Sequence, residues 1–98
     1  MEEKTVFPVI YSMPDEHHEN LRIEIELPGV AKENIRLNMH EDSLSIRATK
    51  TGTVYVGTAA ICNPVEPAKA KARYENGLLV IDVPYREMGR IGREIAIE

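Results

Sequence analysis

Alternation of apolar and polar residues with a period of two is the strongest pattern in this chain. From Leu21 to Leu27, four aliphatic residues occupy every second position and charged residues separate them. The same alternation recurs over 35–40 and over 44–48. Successive side chains of a β-strand point to opposite faces, so this pattern predicts strands with one buried face and one solvated face.

Turn-forming dipeptides delimit the predicted strands. Residues 28–29 are Pro-Gly and end the first of them, and residues 41–42 are Glu-Asp and predict a hairpin between the next two. The strongest hairpin signal is Asn-Gly at 76–77, between predicted strands over 71–75 and 78–83. Both residues of this dipeptide tolerate the positive φ angles of a type I′ turn.

Three further segments complete the predicted fold. An early strand is expected over 6–11, and β-branched residues favour another strand over 54–62. Residues 65–73 are expected to be irregular before they enter a strand. The strand over 78–83 is apolar on both faces, which indicates a central position in its sheet. About seven strands in 98 residues predict an all-β fold, an antiparallel β-sandwich.

Composition narrows the classes of function. The chain has 43% hydrophobic and 29% charged residues, a net charge of -4 and one cysteine. We expect a single domain without a disulfide, in a cytoplasmic protein, because the N-terminus lacks the plan of a signal peptide. The negative charge argues against nucleic acid as a partner. No apolar run approaches the roughly 20 residues of a membrane-spanning helix, so no membrane partner is expected.

The residues suggest no catalytic or cofactor chemistry. Glycines are scattered rather than grouped into a phosphate-binding loop, so no nucleotide or other cofactor is expected. The candidate metal ligands are His17, His18 and His40 with Asp15 or Glu16. We expect these side chains to be solvated rather than to form a metal site. Cys62 is expected as a small apolar residue in or beside the core. We therefore predict that the chain is not an enzyme.

Three motifs resemble those of a known family. Residues 26–30 read Glu-Leu-Pro-Gly-Val, residues 72–79 read Ala-Arg-Tyr-Glu-Asn-Gly-Leu-Leu, and residues 95–97 read Ile-Ala-Ile. In order and spacing they resemble the Leu-Pro-Gly-Val connection, the Ala-x-x-x-x-Gly-x-Leu signature and the Ile-x-Ile tail of the small heat shock proteins. The matching signature positions are Pro28, Gly29, Ala72, Gly77 and Leu79.

The resemblance implies a fold and a function. The fold would be the immunoglobulin-like sandwich called the alpha-crystallin domain, over 6–87, after a short N-terminal arm at 1–5 and before a flexible tail at 88–98. The activity would be that of an ATP-independent holdase, whose partners are unfolded or partly folded client proteins and further copies of itself, at least as a dimer.

The resemblance also implies a role for the tail. Ile95 and Ile97 would be oligomerisation residues that dock in a neighbouring subunit. The groove that receives them, or a client, would be lined by Ile35, Leu37, Met39, Ala70, Ala72 and Tyr74. Periodicity alone allows a different interpretation, in which 94–98 forms a last edge strand of the same domain.

Departures from the family pattern keep a second hypothesis open. Only residues 1–5 precede the first predicted strand, and the connection at 49–53 is too short for the strand-swapping loop of many family members. Ala59 stands where family members often carry an arginine. The short connection favours a non-catalytic interaction adaptor that resembles the CS domains of co-chaperones, whereas the Ile-x-Ile tail favours the chaperone.

Overall fold

A computed structural model describes residues 3–86 and 95–98, and β-strands dominate the described chain. The strands are β1 (Lys4–Val6), β2 (Ile10–Pro14), β3 (Asn20–Glu26), β4 (Ile35–His40), β5 (Ser43–Lys50), β6 (Thr53–Ala60), β7 (Lys71–Glu75) and β8 (Leu78–Pro84). Short 3-10 turns at Lys32–Asn34 and Pro67–Lys69 precede β4 and β7. Residues 1–2 of the predicted arm, residue 87 at the end of the predicted domain and residues 88–94 of the predicted tail lie outside the described residues.

The strands form two four-stranded sheets, in the orders β1-β6-β5-β4 and β2-β3-β8-β7. All strand pairs are antiparallel except β1 and β6, which run parallel. The predicted β-sandwich is therefore confirmed. The strand over 78–83 is central as predicted, since β8 lies between β3 and β7.

The core forms where the two sheets bury their alternating aliphatic residues. These are Leu21, Ile23 and Ile25 on β3, Leu44, Ile46 and Ala48 on β5, and Leu79, Ile81 and Val83 on β8. Within one sheet, Ile23 and Ile25 face Ile81 and Leu79 across the β3–β8 ladder. Each fully buried aliphatic side chain contributes roughly 1.5 to 3 kcal/mol. The period-two pattern thus identified the inner face of each sheet.

The N-terminal segment differs from its prediction. The single strand expected over 6–11 is two strands, β1 and β2, which belong to different sheets. Pro8 lies between them and has no N–H to donate to a ladder, so the strand is interrupted there and the chain crosses from one sheet to the other. Residues 3–86 consequently contain eight strands, and β1 includes Lys4 and Thr5 of the predicted arm.

Cys62 is exposed, so the expectation that it packs in or beside the core is wrong. The predicted strand over 54–62 ends earlier, at Ala60, and the chain then leaves the sheet. Ile61 and Val65 fill the adjacent part of the core, since their side chains are buried. The thiol of Cys62 lies outside the space that these two residues occupy.

The loop between β2 and β3 is organised by Asp15. One oxygen of its carboxylate accepts a hydrogen bond from the N–H of Glu19 at 2.8 Å, and the other accepts one from Asn20 Nδ2 at 3.0 Å. The side chain of Asn20 is the main cause that lowers the pKa of Asp15, and the N–H groups of Glu19 and Asn20 act in the same direction.

Removal of the Asn20 side chain should therefore raise the pKa of Asp15 towards its ordinary value. Because the folded-state pKa is lowered, the contribution of Asp15 to stability is present above its unfolded pKa and is lost as the pH falls through the folded pKa. An NMR titration of the Asp15 carboxyl group in Asn20→Ala tests this, with Asn34→Ala as a control outside the loop. An unchanged Asp15 pKa in Asn20→Ala would contradict the assignment.

Candidate functional site

One side of the candidate site is β4, the last strand of its sheet. Ile35, Leu37 and Met39 are half-buried and pack against the core, whereas the residues between them are exposed. Their register partners on β5 are Ala48, Ile46 and Leu44, all of them buried. Among the described residues β4 pairs only with β5. The three apolar side chains therefore lie at the rim of the core, on the inner face of an open sheet edge.

The other side is β7, which ends the second sheet. Ala70 and Tyr74 are half-buried and pack against the core. Ala72 faces Ile81 in the register and shares the inner face with Tyr74, yet it is exposed. An exposed methyl group on an inner face means that no side chain of residues 3–86 or 95–98 covers that position. All six residues expected to line the groove thus lie on inner faces or beside them, at the edges of the two sheets.

Contacts at both ends relate β4 to β7. The hydroxyl of Tyr74 lies 2.6 Å from the carbonyl oxygen of Leu27 and 2.8 Å from that of Val30, in the connection that leads into β4. At the other end, Met39 and His40 share a surface pocket of about 480 Å³ with Pro67, which precedes β7. The start of β4 therefore lies towards the end of β7, and the end of β4 lies towards the segment that precedes β7. We call the surface between the two strands the β4–β7 groove.

Residues of the family signature hold one end of the groove together. The N–H of Leu27 donates to the carbonyl oxygen of Gly77 at 2.7 Å. A Cβ at Gly77 would lie 3.1 Å from Pro28 Cα, so the hairpin turn and the 27–30 connection touch through their backbones. Gly29 has a φ of 77°, which lets the connection turn towards β4. Although about 50 residues of sequence separate Pro28 from Gly77, these signature positions form one junction.

Replacement of Gly77 by alanine tests this junction. Gly77→Ala places a methyl group at positive φ and against the Pro28 backbone, whereas Gly52→Ala has a similar φ of 77° with no atom within 4 Å. We expect urea denaturation to show a loss of about 1 kcal/mol for Gly52→Ala and of at least about 2 kcal/mol for Gly77→Ala. Equal losses of unfolding free energy in the two variants would mean that the contact with Pro28 contributes nothing to stability.

The side chains of the groove floor are apolar. Ile35, Leu37 and Met39 on one side and Tyr74 on the other are half-buried hydrophobic residues. Charged residues lie on the rims, including Arg36 on β4 and Lys71 on β7. At the pocket end, Arg86 forms an ion pair with Glu41. A short apolar segment fits this arrangement, since its side chains replace water over the floor while its flanks meet polar groups.

The tail isoleucines are fully available for such contact. Ile95 is 80% exposed and Ile97 is 97% exposed, and residues 95–98 form no strand. The edge-strand interpretation of this segment is thus not observed for the four residues described, and Glu94 lies outside the described residues. The docking of the tail in a groove remains a prediction.

The other sequence candidates do not converge. In the described ranges, 3–86 and 95–98, no group of three metal-ligating side chains includes His17, His18 or His40. No helix of the described chain is long and apolar enough to cross a membrane. Ala59, at the position of the arginine common in the family, is half-buried and packs against the core.

One exposed apolar surface lies outside all of the sequence predictions. It consists of Phe7, Val9, Tyr11 and Met13, which are between 47% and 78% exposed. The sequence signal that identifies it is an apolar residue at every second position from 7 to 13, but the intervening residues include Ile10 and hide the alternation. Only the position of β2 at a sheet edge reveals that this surface is open.

Comparisons with known proteins find one family. The model of the Hsp20/alpha crystallin family matches residues 13–98. A chloroplastic small heat shock protein of Pisum sativum is 25% identical over 103 residues, which cover 92% of this chain and 44% of that protein. The chain therefore spans less than half the length of that relative.

Solved structures show the same fold at low identity. Heat shock protein 16.0 of Schizosaccharomyces pombe aligns with a TM-score of 0.72 and 21% identity, over 98% of this chain and 77% of that one. HSP18.5 of E. histolytica aligns with a TM-score of 0.75 and 13% identity, over 95% of this chain and 98% of that one.

Proposed function

The chain belongs to the Hsp20/alpha crystallin family, and we propose that it acts as an ATP-independent holdase that binds exposed apolar segments of unfolding proteins. We propose also that it assembles through Ile95 and Ile97. The observation that supports both proposals is that one chain has half-buried apolar residues along the edge strands β4 and β7 and two exposed isoleucines in its tail. The groove offers apolar surface, and the tail offers two aliphatic side chains that can cover it.

The energetics of tail docking favour exchange. Burial of an isoleucine side chain contributes roughly 1.5 to 3 kcal/mol, from which the cost of ordering the segment is subtracted. One docked tail is therefore a weak contact that dissociates readily. Several such contacts within one assembly reinforce each other through their high effective concentration. Grooves then open often enough to meet other chains.

A holdase activity follows from this competition. An unfolding protein exposes short aliphatic segments of the same chemistry as the Ile-Ala-Ile tail, so it competes for the β4–β7 groove. Binding removes those segments from water and prevents them from aggregating. No covalent bond is made or broken, and this activity requires neither a cofactor nor a nucleotide.

The holdase proposal predicts protection of a heat-denatured client without ATP. At a near-stoichiometric ratio of chain to client, light scattering of the heated client should fall by at least half. An equal mass of a folded protein without an exposed groove serves as the control. Full aggregation of the client in a molar excess of this chain would refute the proposal.

The groove and the tail can be tested separately by substitutions at exposed positions. Ile95→Ala with Ile97→Ala removes roughly 2 kcal/mol of apolar burial per site, which weakens docking by at least about 100-fold. Ala72→Lys places a charged chain over the groove floor and should have the same effect. Ala60→Lys is the matched control, since Ala60 is an exposed strand alanine in the other sheet.

Light scattering coupled to size-exclusion chromatography measures the result. We expect both the tail variant and Ala72→Lys to shift the chain to smaller species, while Ala60→Lys keeps the mass of the unmodified chain. Circular dichroism spectra of all variants should coincide, because each substituted side chain is exposed. An unchanged mass in the tail variant would contradict assembly through Ile95 and Ile97.

The second candidate function is a non-catalytic adaptor that resembles CS-domain co-chaperones. It is favoured by the β5–β6 connection, in which only Thr51 and Gly52 separate Lys50 from its register partner Thr53. An adaptor would bind one stable folded protein with no effect on aggregating clients. Capture of such a partner by immobilised chain, together with full client aggregation, would decide for the adaptor.

A further inference from the structure

Two arginines face each other on the outer face of the sheet β1-β6-β5-β4. Arg36 on β4 and Arg47 on β5 are register partners, and both are exposed. The register pairs on either side of them point to the core, so the two arginines project from the opposite face of the sheet. Residues directly opposite each other in an antiparallel pair have Cβ atoms about 4.5 to 5.5 Å apart, so both guanidinium groups can reach one ligand. We call these two residues the arginine pair.

The arginine pair differs from the other charged pairs in the two sheets. Within residues 3–86, three register pairs join two charged residues. In the sheet β2-β3-β8-β7, Asp82 faces Arg22 on one side and Lys71 on the other, so both of those pairs have opposite charges. Like charges directly opposite each other destabilise a sheet. The arginine pair therefore has a cost in stability that strand pairing does not explain.

No carboxylate on the strands of this sheet offsets the two positive charges. Strands β1, β4, β5 and β6 contain no aspartate or glutamate, although the whole chain has 16 of these residues. Neither arginine forms an ion pair with a residue in 3–86 or 95–98. The chain has a net charge of -4, so the outer face of this sheet is a positive surface on an acidic protein.

Uncharged polar side chains occupy the next row of the same face. Asn38 on β4, Ser45 on β5 and Thr58 on β6 are successive register partners, two residues along each strand from the row of the arginine pair. Asn38 and Thr58 are exposed, and Ser45 is half-buried. Amide and hydroxyl groups donate hydrogen bonds to anionic oxygens. This row therefore adds neutral donors beside the two cations.

We propose that the arginine pair binds a phosphate monoester on a segment of another protein, that is, a phosphorylated serine or threonine side chain. A phosphate monoester has a charge of about -1.5 to -2 at pH 7, so one such group balances the two guanidinium charges. A carboxylate balances only one of them. Each planar guanidinium group can donate two parallel hydrogen bonds to phosphate oxygens, and Asn38 and Ser45 supply donors in the adjacent row.

The composition of this face favours a single phosphate on a protein over other molecules that carry phosphates. Nucleic acids are bound by series of cations along the backbone, and single strands stack on aromatic side chains. The strands of this sheet have one tyrosine and no phenylalanine or tryptophan, and that tyrosine, Tyr55, is buried in the core. Anionic membranes attract clusters of about four to eight basic residues. Two arginines match one phosphate group.

The arginine pair and the β4–β7 groove lie on opposite faces of β4. Ile35, Leu37 and Met39 are on the inner face, whereas Arg36 and Arg47 are on the outer face. A phosphorylated segment bound to the arginine pair therefore leaves the groove floor uncovered. The chain can then hold a phosphorylated partner and an apolar segment at the same time, and the phosphate site does not depend on the holdase proposal.

Fluorescence anisotropy with a labelled peptide tests the phosphate site. The probe is a peptide of alternating glycine and alanine with one phosphoserine at its centre, so it has no large apolar side chain to occupy the groove. The same peptide with serine or aspartate at that position provides the ligand controls. We expect the phosphorylated peptide to bind at least about 10-fold more tightly than the aspartate peptide. Its affinity should fall as the salt concentration rises, because exposed charges are screened.

Substitutions of the arginines locate the site. Arg36→Gln with Arg47→Gln should weaken binding of the phosphorylated peptide by at least about 10-fold. This variant also loses the like-charge repulsion, so it should melt at no lower a temperature than the unmodified chain, which separates lost binding from lost folding. Lys4→Gln with Arg73→Gln is the matched control, because it removes the same charge from two exposed residues on other strands and should keep full binding.

Lysine substitutions distinguish charge from geometry. Arg36→Lys with Arg47→Lys keeps both positive charges but loses the planar pairs of donors. We expect its affinity for the phosphorylated peptide to lie between that of the unmodified chain and that of the glutamine variant. The tail variant, Ile95→Ala with Ile97→Ala, should bind this peptide as the unmodified chain does. The phosphate site and the proposed assembly can therefore fail separately.

Four outcomes would overturn the proposal. The first is no detectable binding of the phosphorylated peptide at low salt, and the second is equal affinity for the phosphorylated and aspartate peptides. The third is an equal loss of binding in the arginine variant and in its matched control, which would assign binding to net charge alone. The fourth is tighter binding of a single-stranded oligonucleotide or of phosphatidylserine vesicles than of the peptide, which would assign this face to nucleic acid or to membranes.

Discussion

The hydrogen bonds between the 27–30 connection and the β7–β8 hairpin determine where β4 lies relative to β7. The N–H of Leu27 donates to Gly77, and the hydroxyl of Tyr74 reaches the carbonyl oxygens on either side of the Pro28-Gly29 turn. These contacts join the end of one sheet to the start of the other. The apolar residues of the groove have their positions because this junction holds both strands.

The sheet edges differ in chemistry, and that difference organises the surface. On β4 and β7 the inner faces are apolar while the rims are charged, which suits a groove that admits side chains but discourages uncontrolled strand addition. The edge of β2 is uncharged but limited by Pro8 and Pro14. Prolines at outward-pointing positions remove donors without breaking the ladder to β3. Each edge therefore restricts pairing by a different means.

Much of the fold was predictable because burial on one face of a strand is a local property of the sequence. The alternation from Leu21 to Leu27 located β3, and Asn76-Gly77 identified a turn whose φ angles are 51° and 80°. Predictions failed where a neighbour in space decided the outcome. Cys62 is exposed because Ile61 and Val65 occupy the core beside it. The strand expected over 6–11 is divided between two sheets at Pro8.

The residues of the candidate groove were also predictable from the sequence only in part. Alternation over 35–40 placed Ile35, Leu37 and Met39 on one face, and the family resemblance pointed to their partners on β7. No sequence pattern indicated that Ala72 is uncovered, or that the strip from Phe7 to Met13 is open. Exposure at these positions depends on which strands lie at an edge, and strand order is a property of the whole sandwich.

The sequence by itself determined most of the strands, their apolar faces and the main turns, since these depend on neighbours within a few positions. Only the tertiary structure decided which strands lie at the edges, and that Pro28 and Gly77 meet. Those features depend on pairing between residues that are distant in the chain. The polarity of the residues on these surfaces is given by the sequence. Their exposure depends on the order of the strands in the two sheets.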